Sequence, residues 1–140
     1  MAESGSIVVG FDGGECAGRA LDTAVDLAKR FGDRVVIVFG AGPPGTPTEE
    51  FREHRRAIEE IGERVTTEAA ERVRDGDVEV EVVVAPDRPS VALSKAAEER
   101  DARFIVVGSY GESPIKGAIV GSVPHKLLQI SETPVVVVRA

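Results

Sequence analysis

The order of apolar segments is the feature that most restricts the fold of this chain. Five short runs rich in valine and isoleucine alternate with four longer segments whose apolar residues recur at helical spacing. The short runs cover residues 7–11, 35–39, 78–84, 104–107 and 135–138. Strands and helices in this order predict a parallel sheet with helices on both faces. We therefore expect an open, doubly wound, five-stranded α/β fold of the Rossmann-like kind, in one domain over residues 1–140.

The five runs differ in how much of their surface they predict to be buried. Four are continuously apolar, which is typical of parallel strands covered on both faces. The third alternates Val78, Val80 and Val82 with Glu79 and Glu81, so one of its faces should meet water. This pattern predicts that the third strand lies at an edge of the sheet.

Four helices are predicted between the strands. The first ends at Phe31 and is followed by Gly32 as a carboxy-terminal cap, the second covers about 48–74, the third 89–100, and the fourth starts near Gly121. The apolar residues expected to face the sheet are Ala17, Ala20, Leu21, Ala24, Ala28 and Phe31 in the first helix, Phe51, Ile58, Ile61, Val65 and Val73 in the second, Leu93, Ala96 and Ala97 in the third, and Val123, Leu127 and Ile130 in the fourth.

Charge and cysteine content exclude several classes of function. The net charge of -7 argues against broad binding to nucleic acid or anionic membranes, because both require basic surfaces. The single cysteine, Cys16, allows neither an internal disulfide nor a zinc cluster. Residues 1–10 lack the pattern of a signal peptide, and no segment reaches membrane-spanning length. These features predict a cytoplasmic protein.

A glycine-rich segment directly follows the fourth predicted strand. Residues 108–123, GSYGESPIKGAIVGSV, place Gly108 and Gly111 at the end of that strand and Gly121 and Ser122 at the start of the next helix. Glycine allows backbone amides to approach a ligand closely, and a helix amino terminus offers unpaired N–H groups with a partial positive charge. The segment therefore indicates a phosphate site, with a ligand-free tight turn as the alternative.

Three common phosphate-binding patterns are missing. The segment contains no GxxxxGK[ST], and the first strand is followed by FDGGEC where a dinucleotide-binding fold would have GxGxxG. A phosphorylated receiver domain would need clustered acidic residues after the first strand, but Asp12 stands alone there. A phosphate site in this chain would therefore have to follow another pattern.

The spacing of the segment resembles a known motif. Gly108, Gly111 and Gly121-Ser122 match the G-2x-G-9x-G-[S/T] motif of the ATP-binding branch of the universal stress protein family. The opening IVVGFDGG, the stretch APDRPSVALSKAAEERDARFIVVGS and the closing GSVPHKLLQISETPVVVV are similar to other segments of that family, so the resemblance covers nearly the whole chain. It implies an adenine nucleotide alpha hydrolase-like fold and a stress-response protein that binds ATP, AMP or ADP.

The resemblance also implies roles for matching positions. Asp12, beside Gly10, would bind the ribose or adenine side, and the end of the second strand would border the adenine. Mg²⁺ is possible where the ligand is ATP. The chain departs from the family in having Tyr110 where a basic residue is common, and in placing Glu112 near the expected phosphates. The full set of implied nucleotide-binding residues is Gly10, Asp12, Phe39, Gly40, Ala41, Val107, Gly108, Gly111, Gly121, Ser122 and Val123.

Several residues have simpler interpretations. Asp12 can cap the first helix as well as contact a nucleotide. Ser122 and His125 lie one turn apart but lack a third orienting acid, so we predict no catalytic residues, and slow ATP hydrolysis or autophosphorylation would be the most that the site supports. The group Arg52, Arg55 and Arg56 is better explained as a solvated helix face than as a phosphate contact.

Two expectations concern assembly and the rival function. The last strand, Val135–Val138, is wholly apolar, and an unpaired edge there would invite association. Together with the family resemblance, this predicts a homodimer through antiparallel contact of that strand. The rival function is a nucleotide-free scaffold or interaction protein of the same fold.

Overall fold

The computed structural model describes residues 5–42, 49–74, 76–110 and 122–139, and the side chains of residues 49–52 are not considered. Strands and helices alternate as the sequence predicts. The elements are β1 (Ser6–Gly10), α1 (Glu15–Phe31), β2 (Arg34–Gly40), α2 (Glu49–Arg74), β3 (Val80–Ala85), α3 (Pro89–Glu99), β4 (Phe104–Gly108), α4 (Ser122–Ile130) and β5 (Val135–Val138).

All five strands pair in parallel, in the order β3-β2-β1-β4-β5. This arrangement confirms the doubly wound sheet and the edge position of the third strand. The chain moves outward from β1 through β2 to β3, then returns to β4 on the other side of β1. The strand order therefore reverses between β1 and β4, and in such folds the crevice outside the carboxyl ends of these strands is the usual ligand site.

Helices cover both faces of the sheet. On one face α1 and α2 pack on Ile7, Val9, Val35 and Ile37, and on the other α3 and α4 pack on residues such as Val36. The inward residues of α1 are small, with Ala20, Ala24 and Ala28 all fully buried, so this helix lies close to the sheet. As predicted, Gly32 ends α1 in the left-handed conformation, at φ 72°.

Three residues expected to face the sheet are exposed instead. Ile61, Ile130 and Phe31 have 45%, 45% and 47% of their surface accessible. In α2 the sheet-facing row passes through Gly62 and Thr66, and Ile61 is about 100° away from it around the helix. Phe31, the last residue of α1, lies beside Phe104 with ring centroids 5.9 Å apart.

A buried carboxylate fixes the amino edge of the sheet. The Asp33 side chain, 1% exposed, accepts hydrogen bonds from the backbone N–H of Gly5 at 3.0 Å and from Arg103 Nε at 2.8 Å. The Arg103 guanidinium also lies 4.2 Å from the centre of the Phe31 ring. Because these groups come from the starts of β1, β2 and β4, one carboxylate holds three central strands together at this edge.

The edge strand β3 carries a partly exposed charged side chain, Glu81. Glu81 accepts hydrogen bonds from Arg100, after α3, and pairs with Arg34 of β2 at 3.6 Å. The hydrogen bond from Arg100 holds the pKa of the Glu81 carboxyl below its ordinary value, and it raises the pKa of Arg100. Charged side chains on an edge strand disfavour pairing with another chain.

Two adjacent leucines in α4 test the orientation of that helix. Leu127 is fully buried, whereas Leu128 is 66% exposed. We predict that Leu127→Ala lowers the free energy of unfolding by about 2–5 kcal/mol, because it leaves a cavity under α4. Leu128→Ala should change it by no more than about 0.5 kcal/mol. If urea denaturation showed that both variants lose the same free energy of unfolding, the orientation of α4 would be contradicted.

Candidate functional site

The sequence-predicted site residues that the structure describes gather at the carboxyl edge of the sheet. Gly10 ends β1, Gly40 ends β2 and Gly108 ends β4, while Ser122 begins α4. Phe39 and Val107 immediately precede these strand ends, Asp12 and Ala41 follow them, and Val123 is the second residue of α4. Gly111 and Gly121 lie outside the described residues. The structure thus brings nine of the eleven predicted positions to the place where the strand order reverses.

The turn between β1 and α1 is shaped by Asp12. Its Oδ1 accepts a hydrogen bond from the backbone N–H of Gly14 at 2.8 Å, two residues later, as in an Asx turn. Gly14 is the N-cap of α1, and Gly13 between them has φ 89°, a conformation that favours glycine. Asp12 therefore orders the turn without being the N-cap, and its half-exposed carboxylate stays at the sheet edge.

Gly108 allows α1 to lie against the end of β4. A β-carbon on Gly108 would lie 2.6 Å from Cys16 Sγ and 3.1 Å from the Cys16 carbonyl carbon. Cys16, in the first turn of α1, is 3% exposed, and its thiol lies 3.6 Å from the Val138 carbonyl oxygen. Glycine at 108 is thus required by packing, independently of any ligand.

The end of β2 lies equally close to the start of α3. A β-carbon on Gly40 would lie 2.5 Å from the Cα of Pro89, and one on Gly42 would lie 2.6 Å from the backbone N of Arg88. The N–H of Ala41 donates to the Ala85 carbonyl at 2.8 Å, and the N–H of Gly42 donates to the Asp87 carbonyl at 2.9 Å. Because both N–H groups are engaged in the fold, this segment offers a ligand its carbonyl oxygens and apolar surface.

The remaining predicted residues divide between core and surface. Val107 is 3% exposed and Val123 packs on the same core cluster, so both support the site from below. Ser122 is exposed at the first position of α4. Its hydroxyl is therefore accessible beside the backbone N–H groups of a helix start, which suit an anionic group.

Neither a metal cluster nor a membrane span is found in the part of the chain that the structure describes. Those ranges contain no group of three or more His, Cys, Asp or Glu side chains placed to hold a metal ion. None of their helices combines the length and apolarity needed to cross a bilayer. A cleft of about 540 Å³ does exist, but Lys29, Arg34, Asp77 and Glu79 line it at the amino edge, opposite the candidate site.

Sequence reasoning missed two glycines that shape the site. Gly42 brings the chain after β2 against the α3 start, and Gly62 allows α2 to lie against the ring of Phe39. A glycine within a helical pattern such as that of α2 is a recognisable signal of close packing, since it costs helix stability. The partner of that contact could not be known without the sheet order.

The contact between Gly108 and Cys16 gives a test of this geometry. We predict that Gly108→Ala lowers the free energy of unfolding by about 1–3 kcal/mol, because the new methyl group overlaps Cys16. Chemical denaturation measures the loss. Adding Cys16→Ala should recover part of it, since the sulfur is the nearest atom to the new methyl group.

Gly18 provides a matched control for that substitution. It lies within α1, and no heavy atom would come within 4 Å of a β-carbon there. Gly18→Ala should therefore stabilise the protein slightly, by up to about 1 kcal/mol. The close packing of Gly108 against Cys16 would be disproved if Gly108→Ala and Gly18→Ala had the same free energy of unfolding.

Two relatives with known sequences match most of the length of this chain. The chain is 31% identical to universal stress protein YxiE of Bacillus subtilis over 95% of its own length and 97% of that protein. It is 32% identical to universal stress protein Rv1996 of Mycobacterium tuberculosis over 95% of its own length. It spans 43% of that second protein, less than half of the relative's length.

Solved structures show the same fold. The universal stress protein UspA from Lactobacillus plantarum, 18% identical, superposes over 99% of this chain and 100% of its own with a TM-score of 0.85. A universal stress protein solved in complex with cAMP, 28% identical, superposes over 99% of this chain and 98% of its own with a TM-score of 0.73. Residues 4–139 match the profile of the Universal stress protein family, and we conclude that the chain belongs to it.

Proposed function

We propose that this protein binds an adenine nucleotide, ATP or its AMP or ADP form, at the carboxyl edge of the sheet. The observation that carries the proposal is the position of Gly10 and Gly108, which end the two strands between which the strand order reverses. The glycine-serine motif of residues 108–122 begins at this point. A relative 28% identical to the chain was solved with cAMP, which supports an adenine ligand.

Within this proposal different residues of the site bind different parts of the nucleotide. Asp12 binds the ribose side, and the end of β2, at Phe39, Gly40 and Ala41, borders the adenine. Val107 and Gly108 form the floor. The phosphates are held by the backbone and hydroxyl groups of the motif, at Gly111, Gly121, Ser122 and Val123. With a triphosphate, Mg²⁺ would neutralise part of the phosphate charge.

The proposed role is that of a binding module. Ser122 and His125 are exposed on the first turn of α4, and no carboxylate of the described residues is hydrogen-bonded to either. A fast hydrolase would need a base held close to the attacking group, so we assign no catalytic residue. We place the protein in the cytoplasm, where nucleotide occupancy would change its shape or its affinity for partners.

Ligand binding can be tested by thermal stability. We predict that ATP with Mg²⁺ raises the melting temperature of protein stripped of ligand, because a ligand that binds only the folded state stabilises it by about 2.7 kcal/mol at a hundred times its Kd. Adenosine should give a smaller shift, since it lacks the phosphates. If millimolar ATP produced neither a melting shift nor calorimetric heat, the nucleotide proposal would be wrong and the scaffold function would be favoured.

Ser122 provides a residue-level test of the same proposal. Ser122→Ala should weaken ATP binding about fivefold, the effect of losing one hydrogen bond of about 1 kcal/mol. Ser94→Ala, in the middle of α3, is the matched control and should leave the Kd unchanged within twofold. If Ser122→Ala and Ser94→Ala bound ATP with equal affinity, Ser122 would not be part of the site.

We also propose that two copies associate through β5. The Ile105 N–H donates to the Pro134 carbonyl and the Ser109 N–H to the Val138 carbonyl. Because parallel strands use alternate residues for each neighbour, the backbone groups of Val135 and Val137 face away from β4, toward the open edge. These outward groups are the ones that a second copy would pair with.

The outward direction of Val137 makes a selective substitution possible. We predict a dimer mass by light scattering for the natural sequence, and a monomer for Val137→Pro, which removes an outward amide and adds ring bulk at an edge position. Val136→Pro removes an inward amide and should lower the melting temperature instead. A monomer mass for the natural sequence at micromolar concentration would contradict the dimer.

A further inference from the structure

Helix α2 is much longer than the strands that it covers. Its 26 residues span about 39 Å, whereas the 7 residues of β2 span about 23 Å. The carboxyl end of α2 is at the amino edge of the sheet, where the Val35 N–H donates to the Glu79 carbonyl in the connection to β3. The excess length therefore lies at the other end of α2, beyond the carboxyl edge.

Gly62 shows where α2 leaves the sheet. A β-carbon on Gly62 would lie 2.4 Å from the ring of Phe39, the second-last residue of β2. Three residues later, Val65 lies next to the β1–α1 turn, with its Cγ1 3.2 Å from a β-carbon built on Gly13. The half of α2 before Gly62, about 20 Å long, thus stands above the edge that holds the candidate site.

The rotation of the helix decides which of its side chains face that site. Beyond Gly62 the sheet-facing row is Thr66, Ala69 and Val73, all at most 5% exposed. Helical periodicity extends this row before Gly62 through Ile58 and Arg55, which are 40° or less from Gly62 around the axis. Both are half-buried, whereas Arg56 and Ile61 are exposed.

We propose that Ile58 and Arg55 form the outer wall of the base subsite, an inference that rests on the proposed nucleotide function. Ile58 supplies apolar contact to the ring, and the planar Arg55 guanidinium stacks on its face. Arg55 Nε lies 3.5 Å from Glu59 Oε1 in a pair whose side chains are 42% and 36% exposed. Such a pair contributes little to stability, so a base can displace it at small cost.

The chain contains a matched control for each wall residue. Calorimetric titration of ATP into Ile58→Ser and Arg55→Gln should give affinities about tenfold weaker than that of the natural sequence, the loss expected for one stacking contact. Ile61→Ser and Arg56→Gln make the same changes at exposed positions that point away from the site, and their Kd values should stay within twofold. Without ligand, Ile58→Ser should melt at the same temperature as Ile61→Ser, and Arg55→Gln at the same temperature as Arg56→Gln, because none of these residues belongs to the core.

Two further measurements separate stacking from charge. Arg55→Lys keeps the charge but loses the flat guanidinium, so it should bind ATP as weakly as Arg55→Gln. Tripolyphosphate has no base. Its affinity for the four serine and glutamine variants should therefore equal its affinity for the natural sequence. Weaker tripolyphosphate binding by Arg55→Gln would overturn the base-wall assignment and make Arg55 a phosphate contact.

The outcomes distinguish this inference from the function on which it rests. If the natural sequence binds ATP and all four variants bind it equally, the wall is disproved while the nucleotide site stands. If the natural sequence binds no ATP, the nucleotide function itself fails, and the wall fails with it. A tenfold loss of ATP affinity in the Ile58 and Arg55 variants, with none in Ile61→Ser and Arg56→Gln, establishes the wall.

Discussion

Close packing that only glycine permits at the carboxyl edge is the constraint on which the rest of this structure depends. Gly108 admits the first turn of α1, Gly40 and Gly42 admit the start of α3, and Gly62 admits the ring of Phe39. At each of these positions a β-carbon would collide with the neighbouring element, so the two elements come close only because the side chain is absent. The ends of β2 and β4 are thereby packed closely against the starts of α3 and α1, beside the point where the strand order reverses.

The opposite edge of the sheet is organised by a different interaction. There, the buried Asp33 carboxylate receives donors from Gly5 and Arg103 and holds the starts of three strands. A buried carboxylate is tolerated because its oxygens are paired. A paired charge thus joins the strands at the amino edge, while glycine packing joins strands and helices at the carboxyl edge, where the candidate site lies.

The sequence was sufficient to predict the strands, their sheet class and the edge position of β3, because apolar runs and alternation report burial directly. It was not sufficient for Phe31, Ile61 and Ile130, which were expected to face the sheet and are exposed. Ile61 was expected to face the sheet because hydrophobicity identifies large apolar residues, yet the contact is made by its neighbour Gly62, which such scales ignore. The pairing of Asp33 with Arg103 was also missed, since 70 positions separate them and only the order of the strands brings them together.

The two outer strands of the sheet differ in a way that limits how copies can assemble. β3 carries the charged Glu81, which is bound by Arg100, whereas β5 consists of four valines. A sheet with two open edges can add copies without limit and grow into a fibre. Here only one edge is suited to pairing, so two copies joined by the proposed antiparallel contact consume both of their available edges. In that proposed pair the remaining outer strands carry Glu81, and its charge closes them to further strand pairing.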